Sequence, residues 1–152
     1  MYVLDTNVVS ELRQGKTRPA AAVVAWAASV SMSRLHLTAI SILELESGVL
    51  ALERKAPPEG QALRRWLHGL REAFAGRILP FDDRAATLCA AMHVPRTRSE
   101  RDAMIAGIAL AHGMTVVTRN VSDFAGCGVA LVNPWQHGSA PQGPPHLRSA
   151  PA

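Results

Sequence analysis

Asp5, Glu44, Asp102 and Asp123 stand where the chain hands over from an apolar run to a helical one, or in the opening turns of a helix, with hydroxyls or amides close by. They are four of only twelve acids in the chain. Brought together, they would make an all-oxygen site for a hard divalent cation, and cations held that way serve phosphoryl chemistry. Without a cation, pooled carboxylates repel and raise one another's pKa, so such a pool makes sense chiefly with metal bound.

Each acid also has a structural alternative. Asp102 with Ser99 forms a Ser-x-x-Asp arrangement similar to a capping box. Asp5 and Asp123 could cap short helices. Glu44 is harder to place that way, because it interrupts the apolar stretch Ile40 to Leu45, where a carboxylate is costly unless it meets solvent, a cation or a donor. Glu46, two positions on, lies roughly 200° around the helix and points elsewhere. Asp82 and Asp83 read as ordinary caps for the helix that follows them.

The elements that must position these acids follow from periodicity. Tyr2 to Leu4, Leu35 to Thr38, Arg77 to Phe81, Thr115 to Thr118 and Val129 to Val132 are short and apolar without alternation, as in strands covered on both faces. Between them, helical patterns run from Thr6 or Asn7 to Leu12, from Pro19 to Ala28, from Ile40 to Leu52, from Leu63 to Phe74, from Asp82 to Met92 and from Ser99 to His112. Pro57-Pro58-Glu59-Gly60 reads as a turn breaking the third helix from the fourth. Strand-helix alternation predicts an α/β fold with a doubly wound parallel sheet and right-handed crossovers. In such sheets ligands bind beyond the carboxyl ends of the strands, where neighbouring crossovers diverge. If the first and fourth strands are neighbours, Asp5 and Asp123 share that crevice, with Asp102 and Glu44 arriving from adjoining helices.

At 152 residues the chain fits one domain, and 48% hydrophobic with 18% charged content is a globular balance. The domain is expected over residues 1–135. From Gln136 onward Gly, Pro, Ser and Ala dominate without periodicity, a composition expected to be disordered. The uncharged run Ala20 to Val30 is too short to span a bilayer. Met1 to Asp5 already read as a strand rather than a leader, and Cys89 and Cys127 have no partner at metal-ligand spacing, so buried thiols in the cytoplasm are expected. The net charge of +4 conceals an asymmetry: with the four candidate acids set aside, sixteen basic residues face eight acids. A basic surface around an acidic pit suits a polyanion. Arg13, Arg96, Arg98 and Arg101 are the candidate phosphate grips.

The runs Leu4-Asp5-Thr6-Asn7-Val8, Glu44-Leu45 with Gly48, Asp102-Ala103 with Ile105-Ala106, and Thr118-Arg119-Asn120 with Asp123-Phe124 resemble the PIN domain, in particular the VapC-type and FitB-type toxin nucleases. Asn133-Pro134 is similar to the family ending. The resemblance implies a three-layer α/β/α fold with a five-stranded parallel sheet of order 3-2-1-4-5. It also implies metal-dependent endoribonuclease activity, with Mg2+ or Mn2+ held by Asp5, Glu44, Asp102 and Asp123; Asp5 and Asp123 are expected as direct ligands, Asp102 as a ligand or water-positioner and Glu44 acting through metal-bound water. Thr6, Asn7, Thr118 and Asn120 match its polar helpers. The implied partners are RNA, a second copy of the chain and a cognate antitoxin, whose peptide would lie in a groove such as one lined by Leu63, Trp66, Leu67 and Leu70.

Two other classes compete. One is an RNA-binding regulator with an inert acidic pit. The other is a phosphoacceptor domain, disfavoured because Asn7 stands where a second acid is needed and only Lys16 and Lys55 could supply the lysine.

Overall fold

The computed structural model describes residues 1–138 of the chain. In chain order the elements are β1 (Tyr2–Leu4), α1 (Thr6–Glu11), α2 (Ala21–Ser29), β2 (Leu35–Thr38), α3 (Ala39–Lys55), α4 (Pro57–Ala73), β3 (Ile78–Leu79), α5 (Asp83–Met92), α6 (Glu100–Ala111), β4 (Thr115–Val117), α7 (Val121–Phe124) and β5 (Leu131–Val132). Short 3-10 turns, Met32–Arg34 and Pro134–Gln136, precede β2 and follow β5. All strand pairs are parallel and the order is β3-β2-β1-β4-β5, as expected.

Strand alternation divides the core in two. Leu4, Leu37 and Val117 point to the face covered by α1, α2 and α4, where they meet Val8, Val9, Val23, Trp26 and Leu67. Their neighbours Val3 and Val116 point the other way, into Ala85, Ile105, Ile108 and Phe124 from α5, α6 and α7. Helices on both faces therefore follow from strands that are apolar at successive positions. Helix α6 can lie this deep because its facing residues are small. A Cβ on Gly107 would come within 2.6 Å of the Ala85 carbonyl oxygen.

One local expectation is corrected. Pro57 to Gly60 is no turn: α4 begins at Pro57, with the single residue Ala56 separating it from α3. Proline is tolerated in a first helical turn because its missing N–H has no partner to lose there. Gly60 is needed for a different reason, since a side chain at that position would strike the backbone of Glu53 in α3. Likewise α2 starts after Pro19, at Ala21, and Ala20 N–H donates to Glu11 Oε1 at 2.7 Å. Of the expected C-terminal tail, Gln136 closes a 3-10 turn, and 139–152 lie outside the described residues.

The order β2-β1-β4 puts the switch of crossover direction at β1. The crevice beyond its carboxyl end is where Asp5 stands.

Candidate active site

Asp5 follows β1 directly, and its N–H donates to Val117 O of β4 at 2.9 Å, which anchors it to the neighbouring strand. It caps α1, with Oδ1 accepting from the Thr6 N–H at 2.7 Å. Yet that does not exhaust it. Oδ2 accepts from the Thr118 hydroxyl at 2.7 Å and from the Asn7 amide at 2.9 Å. Asn7 is itself oriented, because its Oδ1 accepts from the Arg119 N–H at 3.3 Å. Thr118, fully buried just past β4, also accepts from the Asn120 N–H at 3.0 Å. Residues from both ends of the chain thus lock one carboxylate in place.

The other acids arrive from separate elements. Glu44, in the second turn of α3, is half-buried, and its Oε2 accepts from the Thr6 hydroxyl. Its Oε1 lies 3.8 Å from the guanidinium of Arg101, which is exposed. Asp102 is half-buried in the first turn of α6. The capping alternative for it fails, since the Ser99 side chain makes no cap hydrogen bond. Asp102 and Glu44 both lie close enough for their charges to act on Asp5. Asp123 is different: it is exposed in α7 and is not among the charges acting on Asp5. Three of the four acids share the pit, and no contact among the described residues joins Asp123 to them.

Burial is the main influence on the Asp5 carboxyl and pushes its pKa up. Hydrogen bonds from Thr118 and the Thr6 N–H pull it down, and the Asp102 and Glu44 charges push it up again, leaving it above the usual 3.8. An ionised Asp5 therefore sits among like charges with only neutral donors touching it. A bound cation would relieve that.

The donor set fits a hard divalent ion. A carboxylate offers about four lone-pair positions. Hydrogen bonds from Thr6, Asn7 and Thr118 occupy three, leaving Asp5 room for one cation contact, through Oδ1. Among the described residues no three acids, histidines or cysteines are placed to hold one ion directly. An ion here would keep much of its water, as Mg2+ readily does and softer metals held by thiolate or imidazole do not.

The arginine expectations divide. Arg101 stands at the pit and Arg96 is exposed in the loop before α6. Arg13 lies over the Trp66 ring, 6.0 Å from its centroid. Arg98 is tied into the fold: its guanidinium donates to Met92 O at 3.2 Å and Ala125 O at 2.6 Å, which links the end of α5 to the loop after α7. Main-chain acceptors of this kind have no sequence signature. Conversely, Arg119 figured in the sequence only as part of a motif, and here its backbone holds Asn7 while its guanidinium lies over Trp135.

On the face of α1, α2 and α4, a separate apolar cavity of about 350 Å³ is lined by Leu12, Val30, Trp66, Leu70 and Phe74, among others. Trp66 and Leu70 of the expected groove face it. Leu67 is instead buried in the core. Both cysteines are free and buried, and burial pushes their thiols up. No helix among the described residues is long and apolar enough to cross a membrane.

Comparison with known proteins agrees with the fold. Residues 2–125 match the PIN domain family. The chain is 38% identical over 142 residues to a VapC ribonuclease of Sinorhizobium fredii, covering 90% of this chain and 99% of the relative. It is 36% identical to toxin FitB of Neisseria gonorrhoeae, covering 89% and 99%. A crystal structure titled FitAcB, from the same gonococcus, superposes with a TM-score of 0.80 at 35% identity, over 89% of this chain and 99% of that one. The chain belongs to the PIN-domain family, among the VapC and FitB toxins.

Proposed function

We propose that this protein is the toxin of a toxin-antitoxin pair and a metal-dependent endoribonuclease that hydrolyses RNA phosphodiester bonds at the Asp5 pit. The observation that carries the reading is the pooling of Asp5, Glu44 and Asp102 with only neutral donors on Asp5. Relatives named as a ribonuclease and as a toxin support the reaction class. Mg2+ or Mn2+, held at Asp5 with Asp102 and Asp123 reached through the ion's water, would supply a more acidic water and stabilise charge on the scissile phosphate.

The chain's own residues do the rest. Thr118, Asn7 and the Thr6 N–H fix the Asp5 oxygens, so that the remaining lone pair points one way. Asp102, free of any capping duty, takes the proton from the attacking water as its oxygen forms the new bond to phosphorus and the 3′-oxygen departs. Glu44, held by the Thr6 hydroxyl, orders water beyond the cation. Arg101 and Arg96 offer charge to the flanking phosphates. Asn120 closes the β4–α7 corner through its N–H on Thr118.

The apolar cavity at Trp66 and Leu70 suits an amphipathic antitoxin segment, and solved relatives include complexes titled toxin-antitoxin. RNA as substrate and two free thiols suit the cytoplasm.

The test is cleavage of structured RNA in Mg2+ by the wild type, Asp5→Asn and Asp102→Asn. Cutting by the wild type alone is expected, and equal activity in all three sinks the proposal. RNA that is bound after chelation but never cut would restore the regulator with an inert pit.

A further inference from the structure

Several guanidiniums of this chain are committed to the fold. Arg64 binds Glu46 and Glu53, Arg71 binds Glu46, and Arg77 and Arg98 donate to main-chain carbonyls. Arg119 is not. It is exposed, and its guanidinium makes no ion pair or hydrogen bond among the described residues. It lies over the ring of Trp135 instead, 5.4 Å from the centroid. Glu11 is near enough to feel its charge, but the Glu11 oxygens already accept from Lys16 and the Ala20 N–H.

The plate beneath Arg119 is fixed. Trp135 N–H donates to Asn133 Oδ1 at 3.0 Å, Pro134 is buried, and the half-buried indole packs against the core on the α1 and α2 face. The main chain of Arg119 is one side chain away from Asp5, through Asn7. Arg101, by contrast, comes from α6, which packs on the other face of the sheet. The two residues therefore belong to opposite faces of the sheet, Arg101 with its guanidinium near Glu44 and Arg119 with its main chain one side chain from Asp5.

We infer that Arg119, held over the ring of Trp135, grips a backbone phosphate of the RNA next to the cleavage position and so sets the strand's path across the pit. The inference rests on the ribonuclease reading. A guanidinium stacked through one face keeps its edge N–H groups free for a bidentate phosphate contact, which a lysine could not reproduce.

The experiment has two arms. In the first, steady-state cleavage of the shortest RNA oligonucleotide that the wild type cuts is compared among wild type, Arg119→Ala, Arg119→Lys and Arg54→Ala, an exposed cation ten residues beyond Glu44 on α3. In the second, anisotropy of the same oligonucleotide, fluorescein-labelled and in EDTA, is followed across a salt series. Arg119→Ala should raise KM about tenfold with a much smaller change in kcat. Its slope of log Kd against log salt should shrink by about 0.7, the value for one phosphate contact on a single strand. Arg119→Lys should recover the slope but not KM, and Arg54→Ala should match the wild type. Wild-type KM and slope in Arg119→Ala overturn the inference, as does a loss confined to kcat, which would mean that the side chain acts on the chemical step and not on RNA binding. If the wild type cuts nothing, the ribonuclease reading fails by itself. The binding arm, with any RNA of that length, still decides Arg119: a full wild-type slope in Arg119→Ala, or no binding by the wild type, overturns its role.

Discussion

Two of the three glutamates of helix α3, Glu44 and Glu46, have surroundings that are opposite in kind. Glu46 is bound by Arg64 and, at 3.2 Å, by Arg71, while Arg64 also binds Glu53 at 2.9 Å. On that α3–α4 hairpin every carboxylate named meets a guanidinium, the Arg64 pKa rises and that of Glu53 falls. Glu44, two residues earlier, is one of two acids whose charge acts on Asp5, and the cation beside it is Arg101, 55% exposed at 3.8 Å. The ends of α1 repeat the contrast. Burial and like charges push Asp5 up, whereas hydrogen bonds from Lys16 and the Ala20 N–H pull Glu11 down. Neutralised acids hold a fold together. Pooled acids weaken it until something positive binds, which is why the two kinds deserve different experiments.

The largest effect that separates them should come from Asp102→Asn or Asp5→Asn, each expected to lower kcat for RNA cleavage about a hundredfold or more. Asp5→Asn should also raise Tm in the absence of metal. Because the folded-state pKa of Asp5 is raised, the wild type is most favoured below 3.8 and loses that contribution as pH climbs through the raised value. The asparagine variant has no such loss, so its advantage should be seen at neutral pH and fade towards acid. A lower neutral-pH Tm in Asp5→Asn would break the idea of a pooled, unneutralised site.

Next in size is the cation itself. Mg2+ at a hundredfold excess over Kd should stabilise the wild type by about 2.7 kcal/mol, and the increment should vanish in Asp5→Asn. Equal thermal shifts in both proteins would place the ion elsewhere.

Glu44 and Glu46 of α3 then provide the sharpest pair. Glu44→Gln should reduce cleavage about tenfold without loss of Tm. Glu46→Gln should leave cleavage intact and lower Tm by about 2 °C, since its ion pairs are partly exposed. An exchange of those outcomes would mean that the pairing pattern says nothing about function.

The smallest effect belongs to Glu11. Its lowered pKa means that its stabilisation is present above the usual 4.5 and is lost as pH falls through the depressed value. Glu11→Gln should therefore flatten the acid limb of the Tm against pH curve and leave cleavage at neutral pH alone. A curve unchanged on its acid side would remove Glu11 from the neutralised group.

Strand positions and helix faces were legible because burial on both faces leaves runs of apolar residues, as in Tyr2 to Leu4 and Val116 to Val117. Pro57 to Gly60 misled because Pro-Pro followed by Gly serves a turn and a helix start equally well locally. What separates them is the approach of Gly60 to Glu53, a contact between two helices. The acids were legible as candidates by their places at strand ends and helix starts. Asp102 competed with a capping role that only the Ser99 conformation removes. Arg98 looked like a neighbour of the pit, yet carbonyls at positions 92 and 125 claim it.

From amino-acid order alone came the layers, the strand sequence and four carboxylates spaced so that a parallel sheet could gather them. Those properties are local, set by side-chain period and by the chemistry of residues a few positions apart. Folding settled which acids are neutralised, which are pooled, and which arginines stay free. Thr118 reaches Asp5 across 113 positions of chain, and Arg64 reaches Glu46 across 18. Hydrogen bonds and charges act over a few ångströms of space, so separation along the chain carries no information about them until the fold sets the distances.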